Sequence, residues 1–250
     1  MSALGKVVRA GVGRRRVQTV IVVLATLMAV TASILGGSLL VASSAPYDDA
    51  FARQHGAHLV AQFETTAVTT KQVRASGEAF GVSESAGPFH TVSVAPTVDL
   101  PASEDTPDFG GLSGATIPPM TIVGRDDPSA GVDDIALIEG EWASGADEIV
   151  VAAERPEPLG TAFSFPDLPG NPTLTVVGKA RSATRTADAW VASSVIDTLA
   201  AGGNVEYQML YRLTDADTAA DVAAGLDAVT SAVGGDALTG SRSWLSVRRT

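Results

Sequence analysis

The sequence contains no cysteine and only three histidines among its 250 residues. The absence of cysteine excludes a thiol nucleophile, a thiolate metal ligand and any disulfide, so the folded part must be held together by its core alone. His55 and His58 have the spacing of a ligand pair on a helix, but Gly56 interrupts them and no carboxylate is matched to them, while His90 lies far along the chain. We therefore predict solvated or interfacial histidines and no metal site.

An aspartate-rich stretch is the nearest approach to a calcium motif. Asp215, Asp217 and Asp221 resemble the start of a calcium-binding loop. The EF-hand pattern then requires an oxygen ligand and a glycine, and this chain has Ala219 and Ala220 there. The stretch therefore predicts a turn followed by a helix cap.

A stretch rich in glycine and proline at 98–118 offers no catalytic motif either. Ser113 lies among Gly110, Gly111 and Gly114, but the spacing fits neither a phosphate-binding loop nor a Gly-x-Ser-x-Gly elbow. The composition predicts a loop, and no nucleotide-binding signature occurs elsewhere. We predict that the chain is not an enzyme, with no cofactor and no catalytic, cofactor-binding or metal-binding residue.

What the sequence does contain is one long uncharged apolar run, residues 17–47. As a helix it would reach about 46 Å at about 1.5 Å per residue, whereas the hydrocarbon core of a bilayer is about 30 Å thick. A cleaved signal peptide would have an apolar region of only about 7–15 residues. Its best cleavage site, 43–45, is followed by Pro46, and the arginines at 14–16 lack the flanking residues of a twin-arginine signal. The run predicts one uncleaved transmembrane helix.

Charge predicts the orientation of this helix. Residues 1–47 carry five basic and no acidic side chains, which leaves 12 basic and 28 acidic ones for residues 48–250. Short basic segments stay in the cytoplasm, so we expect a cytoplasmic N-terminus in the cell membrane and an extracytoplasmic domain at 48–250. The acidic charge argues against nucleic acid as a partner. Residues 1–13 suit either a short helix on the inner membrane surface or a frayed basic tail.

In the remaining chain, a segment with both predicted helices and strands is followed by one with strands only and then by a second segment with both. We predict that the transmembrane helix continues to Gly56, and we expect a mostly antiparallel β unit within 120–180, where short runs recur with turn signals between them. Trp142 and Trp190 adjoin apolar runs and are predicted to be core residues. The predicted strands are 58–63, 85–96, 120–126, 135–142, 148–154, 160–165, 174–180 and 205–213, and the predicted helices are 66–77, one within 189–202, and 218–233.

The helix at 218–233 has the clearest pattern. It places its larger apolar residues on one face, with Asp217 as the predicted N-cap. The residues of that face are Val222, Leu226, Val229 and Val233. Together with the strands before it, this helix predicts the α+β class.

Several stretches have a familiar order. They are RAGVGRRRVQTVIVVLATLMAVTASIL, then MTIVGRDDP, IEGEWASGADEIVV, LTVVGKARSATRTADAWV and YQMLYRL. In this order they resemble the FtsX-like permeases of MacB-type ABC transporters, and the resemblance covers nearly all of the chain. It implies a basic cytoplasmic segment at 1–16, the transmembrane helix at 17–47 and a porter-like α+β unit from 48–125 and 185–250. A β-rich, sabre-like unit at 126–184 would be inserted between the two parts.

The resemblance also implies a function. In such permeases a cytoplasmic ABC ATPase shifts the outer domain between two conformations, for export or for extracellular signalling. The implied partners are the lipid bilayer, that ATPase and a second permease copy. Family members have three further transmembrane helices after the outer domain, so we expect this chain to be a fragment, a truncation or a split subunit that does not transport alone. The alternative is a single-pass anchored module whose outer domain binds a ligand or a cell-wall partner.

Overall fold

The computed structural model describes residues 20–33, 46–100, 114–202 and 205–248. The chain divides into two compact units, Met1–Asp48 and Asp49–Thr250. In the first unit, residues 20–33 form a helix whose side chains are all exposed. Its hydroxyl groups bond within the helix, because Thr26, Thr31 and Ser33 each donate to the carbonyl oxygen four residues earlier at 2.8–2.9 Å.

The predicted transmembrane helix is only partly covered by the described residues. Residues 17–19 and 34–45 lie outside them, as does the basic segment 1–16. Within the described ranges, no helix has both the length and the apolar character needed to cross a bilayer. The membrane span therefore stays a prediction.

The second unit is built on one sheet. Its order is β12-β1-β11-β2-β5-β10-β7-β9-β8-β3-β4, and β6 also pairs with β9. The strands are β1 (Leu59–Glu64), β2 (Val82–Val94), β3 (Thr97–Asp99), β4 (Ala115–Thr116), β5 (Met120–Gly124), β6 (Ala136–Gly140), β7 (Glu148–Ala152), β8 (Ala162–Ser164), β9 (Thr173–Arg181), β10 (Ala189–Val191), β11 (Val205–Leu213) and β12 (Leu238–Ser243). The helices are α1 (46–53, in this unit from Asp49 onward), α2 (Thr70–Ala75), α3 (Ser193–Leu199), α4 (Ala219–Val233) and α5 (Trp244–Arg248).

Two apolar layers cover this sheet. Helices α2 and α4 pack on β1 and β11 over a core that includes Phe63, Tyr211 and Val229. Helix α3 packs on β2 and β5, where Ile122 and Ile196 belong to the second large core cluster. The α+β class is therefore confirmed for the second unit.

The strands of the predicted porter-like and sabre-like units belong to the same sheet. Strand β10 lies between β5 and β7, and β3 pairs with β8. Two of the pairs, β5 with β10 and β7 with β9, are parallel, and the other pairs are antiparallel. The division at 126–184 stays a prediction.

The boundaries of three predicted helices were wrong, each for a local reason, and the strands predicted at 120–126, 135–142, 148–154 and 160–165 are shorter in the structure. The helix predicted to reach Gly56 ends at residue 53, and His55 has the left-handed φ of 47°. The helix predicted at 66–77 is shorter because Thr69 caps it, with Gln72 completing a capping box. Helix α4 is capped by Thr218 rather than Asp217.

The predicted loop at 98–118 is partly structured. Its first residues belong to β3, and Ala115–Thr116 forms β4, which pairs with β3. Ser113, Gly110 and Gly111 lie outside the described residues.

Candidate functional site

A groove of about 700 Å³ lies on the sheet face opposite α2 and α4. Its floor follows from strand register, because Gln62 on β1 lies opposite Gln208 on β11 and Gly240 on β12. Side chains alternate along a strand. Since Ala61 and Phe63 point into the helical core, both glutamine amides face the groove.

The two glutamines of the floor differ in their bonding. Gln208 is buried, and its Nε2 donates to the Thr186 carbonyl oxygen at 2.8 Å. The Gln62 amide makes no hydrogen bond to any residue that the structure describes. A Cβ at Gly240 would lie 3.0 Å from the Gln62 Oε1, so the glycine leaves room for this amide.

One wall of the groove is the loop at 182–188, which a buried carboxylate holds in place. Asp133 is fully buried, and Ser182 donates its hydroxyl to both carboxylate oxygens at 2.9 and 2.7 Å. Thr184 donates at 3.1 Å and Thr186 at 2.8 Å. Three hydroxyls thus satisfy a charge that would otherwise be costly to bury.

A buried arginine lies near this carboxylate. Arg125 is 3% exposed and donates to the carbonyl oxygens of Asp127 at 3.1 Å and Pro128 at 2.9 Å. Burial lowers the pKa of the Arg125 guanidinium, and the charge of Asp133 opposes that shift. The two hydrogen bonds of the guanidinium hold the loop that follows β5.

Two arginines, Arg185 and Arg242, line the rim of the groove at the loop 182–188. Arg185 is exposed and has a left-handed φ of 51°, a conformation uncommon for residues other than glycine. The Arg242 guanidinium donates to the Arg185 carbonyl oxygen. On the rest of the lining, Arg155 pairs with Glu157 at 2.6 Å. Neither Arg185 nor Arg242 forms an ion pair with a carboxylate in the described ranges.

A second cluster of aromatic rings joins α1, His58 and α5. The Trp244 ring of α5 lies 4.9 Å from the Phe51 ring of α1 and 5.6 Å from the His58 ring. The backbone N–H of Trp244 donates to the His58 carbonyl oxygen at 3.0 Å. The Nδ1 of the His58 ring accepts the backbone N–H of Leu213 at 2.9 Å. Burial, followed by the charge of Arg212, lowers the pKa of His58. His58 is thus an aromatic contact and a backbone acceptor.

The histidines do not converge in the structure. His55 bonds to Asp134 at 3.1 Å, and His90 is exposed and packs on Tyr207 at 5.1 Å between ring centres. Across the described part of the chain, no group of histidine, aspartate and glutamate could hold a metal ion.

The aspartate-rich stretch forms a turn and a helix cap, as predicted. The Asp221 carboxylate accepts both the backbone N–H and the hydroxyl of Thr218, at 2.9 and 2.7 Å. Of the two predicted core tryptophans, Trp190 is 1% exposed, which confirms its position. Trp142 is half-buried beside it and donates to the Arg125 carbonyl oxygen.

The groove was not predicted from the sequence. Its one local signal is SATRT at 182–186, where serine and two threonines alternate and supply the three hydroxyls that Asp133 binds. Their common acceptor lies about fifty positions earlier, beyond the reach of a local pattern.

No protein-family model and no curated protein matches the chain. Among solved structures, one similar fold is the periplasmic region of MacB from Actinobacillus actinomycetemcomitans. It has 9% identity and a TM-score of 0.42, over 79% of this chain and 94% of that one. Another is the extracellular domain of the noncanonic ABC-type transporter YknZ from Gram-positive bacteria. It has 10% identity and a TM-score of 0.37, over 74% and 98% of the two chains. Both TM-scores lie below 0.5, and neither likeness identifies a ligand or an activity.

Proposed function

We propose that the chain is the permease subunit, or the N-terminal part of one, of an ABC transporter of the FtsX/MacB type. A cytoplasmic ATPase would drive motion of the extracytoplasmic domain, for export or for extracellular signalling. The order of sequence stretches supports the family, and the basic N-terminus followed by the apolar run supports the orientation. A second permease copy is part of the proposal.

The structural observation that carries the proposal is the contact between α1 and α5. A helix can pass a displacement to a domain only when its end is packed against that domain. Phe51 of α1 is 8% exposed and stacks on His58, which directly precedes β1 and accepts a backbone N–H from β11. A displacement of α1 would therefore reach β1, β11 and α5 together.

The helix at 20–33 supports a membrane location for its own part of the chain. Its large apolar side chains are all 53–71% exposed, and its hydroxyls bond to its own backbone. In hydrocarbon every polar group needs such an internal partner. The exposed apolar residues are Val20, Ile21, Val22, Val23, Leu24, Leu27, Met28 and Val30.

The test is association with an ATPase that acts on the domain. The tagged full chain would be purified from the membranes of its native host, with untagged membranes as the control. We expect an ABC ATPase to co-purify, and replacing ADP by a non-hydrolysable ATP analogue should change hydrogen exchange at 46–53 and 244–248.

Two results would contradict this proposal. One is the absence of any ATPase from the purified chain. The other is hydrogen exchange at 46–53 and 244–248 that is the same with ADP and with the ATP analogue. Either would favour the anchored binding module, for which the groove is the supporting observation. Ligand binding alone does not separate the two functions, because both can use the groove.

A further inference from the structure

The groove has the dimensions of a ligand-binding site. Its volume of about 700 Å³ falls within the range of roughly 300–1,000 Å³ typical of pockets for small molecules. Its lining combines the Gln62 amide and the Arg185 and Arg242 side chains with apolar surface from Ile117 and Pro118. Such a lining suits a ligand with one polar end and one apolar end.

The chemistry of the ligand's polar end follows from the groove's arginines that are not paired with a carboxylate in the described part of the chain. The groove's own carboxylates are engaged: Glu157 with Arg155, Glu154 with Arg181, and Asp188 with the Thr121 N–H at 2.8 Å. This leaves Arg185 and Arg242 without a carboxylate partner among the residues that the structure describes.

These two cations line a groove in an acidic domain. Residues 48–250 carry 28 acidic and only 12 basic side chains, yet the exposed Arg185 and Arg242, which line the groove, form no ion pair within the described ranges. The Arg242 guanidinium contacts the Arg185 backbone carbonyl oxygen, so the two residues meet at the rim, and their like charges favour an anion there. A guanidinium binds the two oxygens of a carboxylate or phosphate in a bidentate manner.

The rim is also preorganised for binding. Three hydroxyls fix the loop at 182–186 on the buried Asp133 carboxylate, and Arg185 keeps a left-handed backbone within that loop. Such backbone conformations persist only where the surroundings enforce them, and they concentrate at functional sites. A rigid rim loses little conformational entropy when a ligand binds.

We propose that this groove binds a small organic anion. Arg185 and Arg242 hold its carboxylate or phosphate group, the Gln62 amide gives a further hydrogen bond, and the apolar body lies on Ile117 and Pro118. The site is independent of any ATPase and serves a permease and an anchored module equally.

The test uses the purified full chain and isothermal titration with three probes. N-acetylphenylalanine carries a carboxylate, phenyl phosphate carries a phosphate, and N-acetylphenylalaninamide is the neutral counterpart. We expect both anions to bind at least tenfold more tightly than the amide, and the tighter of the two identifies the preferred group. In the double variant Arg185→Gln/Arg242→Gln, the Kd for the anions should rise at least tenfold.

The matched control is Arg74→Gln, which removes an exposed arginine on α2 and should leave the Kd unchanged. If the double variant unfolds, Arg185→Lys keeps the charge but loses the bidentate geometry, and it should bind the anions several-fold more weakly. The proposal fails if no probe binds at about 10 mM. It also fails if the neutral amide binds equally well, or if Arg74→Gln weakens binding as much as the double variant does.

Discussion

The ring of Phe51 lies 4.9 Å from the ring of Trp244, so the first and last helices of the domain are in direct contact. The Trp244 indole also donates to the Ala216 carbonyl oxygen at 3.0 Å, which ties α5 to the segment between β11 and α4. His58 fills the remaining side of the cluster. The three rings thus join α1, the start of β1 and α5.

Removing the Phe51 ring should destabilise the domain strongly. Truncating a buried aromatic side chain to alanine typically lowers the free energy of unfolding by about 3–5 kcal/mol. A double-mutant cycle of Phe51→Ala and Trp244→Ala should give a coupling of about 0.5–1.5 kcal/mol for the ring pair. Urea denaturation of the full chain measures both quantities.

The control for that experiment is Phe80→Ala. Phe80 is 95% exposed, and its loss should change stability by no more than about 0.5 kcal/mol. Equal effects of Phe51→Ala and Phe80→Ala would mean that α1 does not pack on the domain.

The His58 ring makes stability depend on pH. Burial, and then the charge of Arg212, lowers the pKa of His58 below its ordinary value of 6.5. The folded state therefore binds fewer protons than the unfolded state between the two pKa values. Stability should be full above about pH 6.5 and should fall as the pH decreases from 6.5 toward the lower pKa of the folded state.

Denaturation curves at several pH values test this dependence. The variant His58→Gln should lose the part of the slope that lies below pH 6.5, with His90→Gln as the matched substitution of an exposed histidine. An unchanged slope in His58→Gln would show that another group is responsible.

Asp133→Asn should loosen the loop at 182–186. The asparagine offers one acceptor oxygen in place of two, so part of the hydrogen bonding from Ser182, Thr184 and Thr186 is lost. Asparagine still tolerates the left-handed φ of 54° at this position, so backbone strain does not confuse the result. We expect a loss of about 1–3 kcal/mol.

Thermal or chemical unfolding of the full chain measures this loss. Asp167→Asn, at an exposed position, is the control and should be nearly neutral. Faster hydrogen exchange at 182–188 in Asp133→Asn, but not in Asp167→Asn, would locate the effect in the loop. Unchanged exchange there would show that the carboxylate does not hold the loop.

The absence of cysteine makes the predicted topology directly testable. Single cysteines can be introduced at Ser2, in the predicted cytoplasmic segment, and at the exposed Ser231 of α4. A membrane-impermeant maleimide added to intact spheroplasts should label Ser231→Cys but not Ser2→Cys. After lysis both should react, and the reverse pattern would overturn the predicted orientation.

Local patterns predicted the elements better than their arrangement. The strand at 205–213 was predicted with its observed ends, and α4 to within a residue, because both have clear periodicity. The N-cap was misplaced by one residue because Asp217 and Thr218 can both cap a helix, and only Thr218 has a partner three residues later, Asp221, that bonds back to it.

The groove depends on the pairing of strands that lie far apart in the sequence, which a short stretch of sequence does not show. Gln62 and Gln208 come together only because β1 pairs with β11 in one register, and a slip of one strand by one residue would turn its glutamine into the core. Similarly, nothing in the short run at Ala189–Val191 indicates that β10 is inserted between β5 and β7.

This position of β10 has a topological consequence. Strands β5 and β10 are parallel neighbours, and two parallel strands cannot be joined by a hairpin turn. The segment between them, 125–188, is therefore a single crossover connection that carries four strands of its own, β6 to β9. Homologous chains could gain or lose strands within this connection and keep the parallel pairing of β5 with β10. None could shorten it to a tight turn, because a crossover needs about a dozen residues.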